Sequence, residues 1–170
     1  MRIDNAAWRQ MTAWDLPAVE AIAAKVHPAF FERPEVFAEK QRLYRPGASL
    51  LEVGDRPAGY VFSHPFRAGA IPALDTLIGE LPADADSYYI HDLALLPMAR
   101  RIGAAAEMVG LLEKHARALN LPTMSLVAVS GSMGFWAKQG FAVQDDDDLA
   151  PALAAYEDGA RYMVKPLGLL

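Results

Sequence analysis

Residues 93–105 combine amino-acid types that can bind a phosphate group. An apolar segment ends at Pro97, Arg100 and Arg101 follow, and a helical pattern begins near Gly103. The first amides of a helix have no partner within the helix and lie at the positive end of its dipole, so they form a site for phosphate oxygens. Gly103 allows a ligand to approach the backbone closely, and arginine side chains can reach phosphate. The stretch therefore predicts an anion site, although a tight turn with a solvated arginine pair explains the same residues.

A second informative segment spans residues 135–141. It places Phe135, Trp136 and Lys138 on a predicted short helix that Gly140 ends. This aromatic-rich segment resembles the FY-x-K-x-GF segment of the GNAT acyltransferases.

The glycine turn indicates the same family. The pattern Arg100-x-x-Gly103-x-Ala105 resembles the R/Q-x-x-G-x-G/A signature of the GNAT acyltransferases. The two motifs occur in the family's order, with a helix and a strand between them. The chain is thus similar to the GNAT superfamily of acyl-CoA-dependent N-acyltransferases. The specific motifs cover residues 92–141, and the family's element order extends over the whole chain.

The resemblance implies a site for acetyl-CoA as co-substrate, without a metal ion. The backbone of Leu93, Ala94 and Leu95 would bind the pantetheine arm and the thioester, where the fourth strand diverges from the fifth. The other implied cofactor contacts are, at the pyrophosphate, Arg100, Arg101, Ile102, Gly103, Ala104 and Ala105, and, on the opposite side of the cofactor, Phe135, Trp136 and Lys138.

Two positions depart from the family's pattern. The family often has a tyrosine as general acid where this chain has Trp136, and an asparagine after the fifth strand where it has Val129 or Ser130. An indole cannot protonate a leaving thiolate at neutral pH. The general acid is therefore absent or is supplied elsewhere, with Tyr156 and Tyr162 as candidates unless they only pack.

Tyr89 and His91 are the predicted catalytic residues. They alternate on a predicted central strand, so they face the same side, just before the proposed thioester segment. A free alkylamine has a pKa of about 10.4 and needs a base to remove its proton, which suits histidine. Arylalkylamine N-acetyltransferases, a branch of the family, carry a histidine pair at similar positions. His91 is expected to act as base directly or through water, and a backbone amide at Leu95 or its neighbour to stabilise the oxyanion; the alternative is that His91 only packs.

The remaining ionisable candidates have weaker support. Asp92 is expected to point to the opposite face of the strand unless a β-bulge reorients it. His115 lies on the apolar face of a predicted helix and fits a core position. His27 and His64 receive no role from the sequence.

The elements that position these residues predict an α/β (α+β) fold in a single domain over residues 1–170. Its central sheet is mixed and mostly antiparallel, flanked by helices, and the resemblance implies that its fourth and fifth strands splay around the cofactor. Predicted helices cover residues 12–26, 34–44, 104–120 and 132–139, and predicted strands cover residues 7–11, 49–53, 58–63, 88–96, 124–129, 141–143 and 160–165. The connection 67–86 is expected to contain a short helix with Ile71, Leu74, Leu77 and Ile78, and the acidic run 145–148 to be a solvated loop.

Composition limits the class of protein. The chain has 170 residues, 53% of them hydrophobic, and a net charge of −5 with no basic run longer than two residues, which disfavours nucleic-acid binding. It has no cysteine, and its four histidines are widely separated, so no metal site is expected. No apolar run is long enough to span a membrane and the first residues are polar, which favours a soluble cytoplasmic protein.

The function that these observations favour is transfer of an acetyl group from acetyl-CoA to a primary amine of a small molecule or peptide, by direct attack in a ternary complex. A CoA-binding sensor without turnover is the main alternative. A protein-interaction domain with a purely structural glycine turn is a further one. The sequence does not decide whether the chain forms a homodimer. The acceptor site has no recognisable sequence signature.

Overall fold

A seven-stranded sheet runs through the molecule in the order β1-β2-β3-β4-β5-β7-β6. The computed structural model describes residues 5–129 and 131–168. The strands are Ala6–Gln10 (β1), Ala48–Val53 (β2), Arg56–Phe66 (β3), Ser87–Leu95 (β4), Thr123–Ala128 (β5), Ala142–Val143 (β6) and Arg161–Pro166 (β7). All neighbouring strands are antiparallel except β4 and β5. The predicted mixed, mostly antiparallel sheet is confirmed.

Helices cover both faces of this sheet. They are Leu16–Val26 (α1), Pro34–Leu43 (α2), Ala104–Ala118 (α3), Met133–Lys138 (α4) and Ala150–Ala154 (α5). On one face, Val19 of α1 and Phe37 of α2 pack with Phe62 of β3. On the other face, Met108 of α3 and Trp136 of α4 pack with other buried side chains of the sheet. Burial of apolar side chains on both faces accounts for most of the stability of such layers.

Most predicted elements form close to their predicted positions. α2 begins at Pro34, a residue whose fixed φ favours the first turn of a helix. The hairpin between β2 and β3 turns at Gly54, which has a φ of 63°, and β3 extends further at both ends than the alternating pattern indicated. The sequence did not predict α5, which follows the exposed acidic run 145–148.

The predicted short helix in the connection 67–86 is wrong. This segment forms successive turns, and Asp75 and Gly79 have φ values of 55° and 82°, which are incompatible with an α-helix. The Glu39 carboxylate of α2 accepts hydrogen bonds from the backbone amides of Ile78 and Gly79. Side-chain acceptors on α2 therefore replace the helical hydrogen bonds that these amides would otherwise make.

β4 and β5 diverge at their carboxyl ends. They pair only over three positions, Tyr88 to Ile90 with Met124 to Leu126. β3 stays paired with β4 as far as Leu95. The edge of β4 that faces β5 is consequently open beyond Ile90, as expected for a pair of strands splayed around a ligand.

Candidate active site

A cavity of about 450 Å³ occupies the gap between β4 and β5. Because β4 and β5 diverge, the cavity passes through the sheet, and residues on both faces of the sheet line it. From the side of α1 and α2 the wall includes His27, Phe30, Glu32, Tyr60, Tyr89 and Asp92. From the side of α3 and α4 it includes Ala105, Val129, Ser132, Phe135 and Trp136. One continuous space thus joins the start of α3 to the face of the sheet covered by α1.

The predicted cofactor residues occupy three kinds of position. Those that line the cavity are Leu93, Ala94, Leu95, Arg100, Ala105, Phe135 and Trp136. Arg101, Ile102 and Gly103 form the turn that leads from the cavity to Ala104, the first residue of α3. Lys138 is exposed at the end of α4 and does not line the cavity.

The turn before α3 leaves its amides free for a ligand. Gly103 is the N-cap residue of α3, and no side chain in the described ranges 5–129 and 131–168 accepts a hydrogen bond from the amides of the first helical turn. Arg101 and Gly103 both have left-handed backbones, with φ values of 68° and 84°. A Cβ placed on Gly103 would meet no atom within 4 Å, so the space above it is open. The first turn is fixed by Trp8, whose Nε1 donates to the carbonyl of Ala104 at 2.9 Å.

A β-bulge in β4 reorients the side chains that the sequence singled out. Phe62 of β3 pairs with Asp92, whereas the next residue, Ser63, pairs with Ile90, so His91 is the extra residue. Two residues of a bulge oppose one residue of the neighbouring strand, and the normal alternation of side chains is interrupted there. Asp92 therefore contacts residues on the side of α1 and α2, the side to which Tyr89 and His91 also belong. The sequence predicts that Asp92 points to the opposite face unless a bulge reorients it. The bulge is present, and Asp92 lies on the same side of the sheet as Tyr89 and His91.

His91 is hydrogen-bonded to a second histidine, His64. The distance between Nδ1 of His91 and Nε2 of His64 is 3.3 Å, and Nδ1 of His64 lies 3.0 Å from the carbonyl of Pro65. Burial lowers the pKa of His64 to about 4, and burial together with the charge of Lys40 lowers the pKa of His91 well below its ordinary value. Both imidazoles are therefore neutral at neutral pH.

The hydrogen bonds also determine the tautomers of these two neutral rings. A carbonyl can only accept, so Nδ1 of His64 carries its proton and Nε2 of His64 is the acceptor. Nδ1 of His91 must then donate to it, which leaves Nε2 of His91 with its lone pair. That nitrogen makes no hydrogen bond to any residue in the described part of the chain.

Asp92 and His27 form a second polar cluster in the cavity wall. Nε2 of His27 lies 3.0 Å from Oδ1 of Asp92, and the hydroxyl of Tyr60 donates to Oδ2. Burial alone would lower the pKa of His27, but the hydrogen bond and charge of Asp92 raise it overall. For Asp92 the effect of burial is likewise outweighed, chiefly by His27, and the pKa of this carboxyl is lowered.

No pattern in the sequence predicts this cluster. His27 lies 65 residues from Asp92, at the end of α1, and no spacing rule connects them. The His27-Pro28 pair indicated only that a helix ends there.

The tyrosines have distinct positions. Tyr89 is buried in the cavity wall, and burial raises its pKa well above the ordinary value. Tyr156 also lines the cavity, where its hydroxyl donates to the carbonyl of Pro72. Tyr162 is buried outside the cavity lining, and its hydroxyl accepts from the amide of Gly69. Of the two residues at the family's usual asparagine position, Val129 lines the cavity and Ser130 lies outside the described residues.

Membrane-spanning helices and metal-ligand clusters are both absent from the described residues. In residues 5–129 and 131–168, no helix has the length and apolarity needed to cross a bilayer. Across the same residues, no three histidine, aspartate or glutamate side chains are grouped as metal ligands.

Comparison with known proteins places residues 8–141 within the Acetyltransferase (GNAT) family, whose family model matches this range. Among curated proteins, none matches the chain in sequence. The match includes both the glycine turn before α3 and the aromatic segment of α4.

Solved structures with the same fold include enzymes of different activities. Ard1 from Thermoplasma volcanium is 13% identical with a TM-score of 0.72, covering 96% of this chain and 99% of that one. The ribosomal-protein-S18-alanine N-acetyltransferase from Escherichia coli is 17% identical with a TM-score of 0.66, covering 97% of this chain and 96% of that one. The GphF GNAT-like decarboxylase in complex with isobutyryl-CoA is 14% identical with a TM-score of 0.80, covering 95% of this chain and 100% of that one. At these identities the likeness establishes the fold alone.

Proposed function

The chain belongs to the GNAT acetyltransferase family, and we propose that it transfers an acetyl group from acetyl-CoA to a primary amine of a small molecule or peptide. Acyl transfer from CoA follows from membership of the family. The choice of acetyl group and of amine acceptor is the proposal. The observation that carries it is the single cavity that joins the free amides before α3, the open edge of β4 and the polar wall around His91. A cavity open to both faces of the sheet allows donor and acceptor to bind together, which favours direct attack in a ternary complex.

The residues on the cofactor side fit acetyl-CoA. The start of α3, which has no side-chain cap, and the open space above Gly103 suit a pyrophosphate. The unpaired edge of β4 at Leu93, Ala94 and Leu95 offers hydrogen bonds to an extended pantetheine arm. Phe135 and Trp136 supply an apolar wall. Acetyl-CoA, when bound there, supplies the thioester carbonyl that an amine attacks.

His91 suits the role of base. Its Nε2 is a free acceptor, and its partner His64 holds the ring in that tautomer. In the proposed reaction Nε2 takes the proton of the attacking amine directly or through a water molecule. The amide of Leu95 or its neighbour stabilises the charge that develops on the carbonyl oxygen. Tyr89, whose ring centroid lies 5.6 Å from that of His91, helps to fix the orientation of the imidazole.

A primary amine is the proposed acceptor because the cavity wall contains ionised and proton-accepting groups. Asp92 and Glu32 line the same side as His91. The named alanine N-acetyltransferase among the similar structures acts on a protein amine, whereas the named decarboxylase shows that the fold also serves other chemistry. The proposed location of the protein is the cytoplasm, where it would obtain acetyl-CoA.

Calorimetry with acetyl-CoA provides the first test. We expect binding with low-to-middle micromolar affinity or better, followed by release of CoA when a panel of amines, amino acids and peptides is added. The absence of both heat and a thermal shift at saturating acetyl-CoA would contradict the proposal. Binding without CoA release from any acceptor would instead favour a CoA sensor, the alternative that Trp136 supports because its indole cannot act as general acid.

A further inference from the structure

The proposed reaction requires a proton donor that the α4 helix does not supply. The attacking nitrogen must lose a proton, and the leaving sulfur must gain one. His91 suits the first step, but Trp136 stands where an acid would serve the second. The donor has to be another group of the cavity wall, close to the β4 segment that follows Asp92.

We propose that His27, held by Asp92, donates a proton to the departing CoA thiolate. This inference rests on the acyl transfer proposed above. The imidazole is anchored at 3.0 Å to the carboxylate of Asp92, the residue directly before the open segment Leu93 to Leu95. The side chains of His27 and Asp92 are 20% and 15% exposed, so the pair is shielded from bulk water but reaches the cavity.

Arg100 stands at the far end of the same open segment. Its Nε donates to the carbonyl of Leu95 at 3.3 Å. His27, Asp92, Leu95 and Arg100 all line the cavity. The carboxylate that binds His27 therefore stands at one end of the segment and Arg100 at the other, with His27 in the wall of the same cavity.

The orientation of the ring leaves one nitrogen for the reaction. Nε2 of His27 is bonded to Oδ1 of Asp92, whose other oxygen is held by Tyr60. Nδ1 of His27 makes no hydrogen bond to any residue that the structure describes. In the imidazolium form Nε2–H donates to the carboxylate, and Nδ1–H is available to the sulfur.

The charges around the two cavity histidines differ. His27 faces two carboxylates, Asp92 on β4 and Glu32 in the loop before α2, and one guanidinium, Arg100 after β4. Burial and the charge of Arg100 lower the pKa of His27, but the hydrogen bond and charge of Asp92 raise it overall. His91 faces Lys40 on α2 and His64 on β3, and burial with these neighbours lowers its pKa. Environments that shift the pKa values of two groups in opposite directions assign one as acid and the other as base.

Tyr60, Tyr89 and Tyr156 line the wall and are poorer donors, because burial raises the pKa of each. The hydroxyl of Tyr156 donates to the carbonyl of Pro72, and burial raises its pKa. The hydroxyl of Tyr60 donates to Asp92, and burial with that charge raises its pKa further. The protons of Tyr60 and Tyr156 are held by acceptors within the protein, whereas the Nδ1 proton of His27 is not.

The proton and electron balance of the step is complete. The amine nitrogen forms a bond to the carbonyl carbon, and the carbon–sulfur bond breaks with its electron pair on sulfur. The amine proton passes to Nε2 of His91, and the Nδ1 proton of His27 passes to sulfur. The products are the amide and CoA thiol, and water returns the two histidines to their starting states.

The first test compares pH profiles of kcat for wild type, His27→Gln and Asp92→Asn. In wild type the rate should fall at high pH as the acid loses its proton. His27→Gln should lose ~10²-fold or more in kcat, keep the KM for acetyl-CoA, and lose this high-pH limb. Asp92→Asn should move the limb to lower pH, because the neutral amide no longer raises the pKa of His27. His115→Gln is the matched control, since His115 is bonded to Tyr44 outside the cavity.

The second test needs no acceptor. An imidazolium beside the sulfur stabilises the thiolate, so the thiol of bound CoA should titrate at lower pH than free CoA, measured by thiolate absorbance. This shift should disappear in His27→Gln and persist in His115→Gln. If wild type turns over but His27→Gln keeps the wild-type kcat, the high-pH limb and the thiol shift, the inference is overturned. Loss of the low-pH limb alone would make His27 a base and would also overturn it. If wild type fails to bind CoA, the proposed function fails, and this inference fails with it.

Discussion

His64 determines which nitrogen of His91 keeps its lone pair. The pair of hydrogen bonds from His91 to His64 and from His64 to Pro65 fixes both tautomers while both rings are neutral. A neutral histidine with the opposite tautomer would present an N–H instead of a lone pair. The proposed base thus depends on a second histidine to which the sequence assigned no role.

Replacement of His91 tests its role as base. We expect His91→Ala to leave acetyl-CoA affinity nearly unchanged, because the proposed cofactor contacts are backbone amides. Turnover should fall by ~10²-fold or more, the usual contribution of a positioned base. The loss should shrink as pH rises, since more of the amine is then neutral without help. Steady-state kinetics over a pH series, with calorimetry for affinity, measures both effects.

Tyr89→Phe is the control for the same strand face. It keeps the buried ring and removes only the hydroxyl, so its effect on turnover should be smaller than that of His91→Ala. A His91→Ala enzyme with wild-type turnover from mildly acidic to mildly basic pH would exclude the base role. Lower stability with an unchanged pH profile would mean that His91 only packs.

The start of α3 is the proposed site of the cofactor's pyrophosphate. Gly103 caps this helix with a left-handed backbone and leaves the first amides open. We expect Gly103→Asp to abolish CoA binding, because it places a carboxylate at the proposed site of the pyrophosphate. Calorimetry with CoA measures the loss, and thermal unfolding verifies that the variant is folded.

Gly103→Asn separates charge from backbone strain in this experiment. Asn and Asp have nearly the same shape, and both tolerate a positive φ better than other side chains. The Cβ of either residue meets no atom within 4 Å. Gly103→Asn should therefore retain more CoA affinity than Gly103→Asp. Wild-type binding by a folded Gly103→Asp variant would place the phosphate site elsewhere.

Local patterns explain which elements the sequence predicts. α3 and the turn before it combine a helical apolar period with a glycine, and both signals lie within a few residues. The bulge at His91 and the pair of His27 with Asp92 depend on strand register and on contacts between distant segments, which no local pattern encodes. The wrong helix in the connection 67–86 has the same origin, because Glu39 on α2 binds the amides that the apolar spacing assigned to a helix.

At the scale of the whole molecule, the histidines couple folding to pH in opposite directions. His64 and His91 have lowered pKa values in the folded protein, so they oppose protonation of the folded state. His27 has a raised pKa and stabilises the folded state below its ordinary pKa, an effect lost as pH rises through its folded pKa. Acid thus destabilises the fold through His64 and His91, whereas the protonation of His27 stabilises it. For His64, which is 3% exposed, the pH range of this effect is set by its pKa values in the unfolded and folded chain.

Acid unfolding measures the contribution of His64. Its pKa is lowered from 6.5 to about 4, so between these pH values the unfolded chain binds a proton that the folded chain does not. The stabilisation that comes from neutral His64 is fully present above pH 6.5 and is lost as the pH falls toward 4. At ~1.4 kcal/mol for each pKa unit, the lost free energy of unfolding is about 3 kcal/mol. Urea unfolding at a series of pH values should show this decline in wild type. His64→Gln keeps a donor and an acceptor without titrating, so its free energy of unfolding should vary less over the same range, with the same dependence on urea. If the variant loses stability as steeply as wild type, His64 is protonated in the folded protein, and its hydrogen bond could not hold the tautomer of His91 in mild acid.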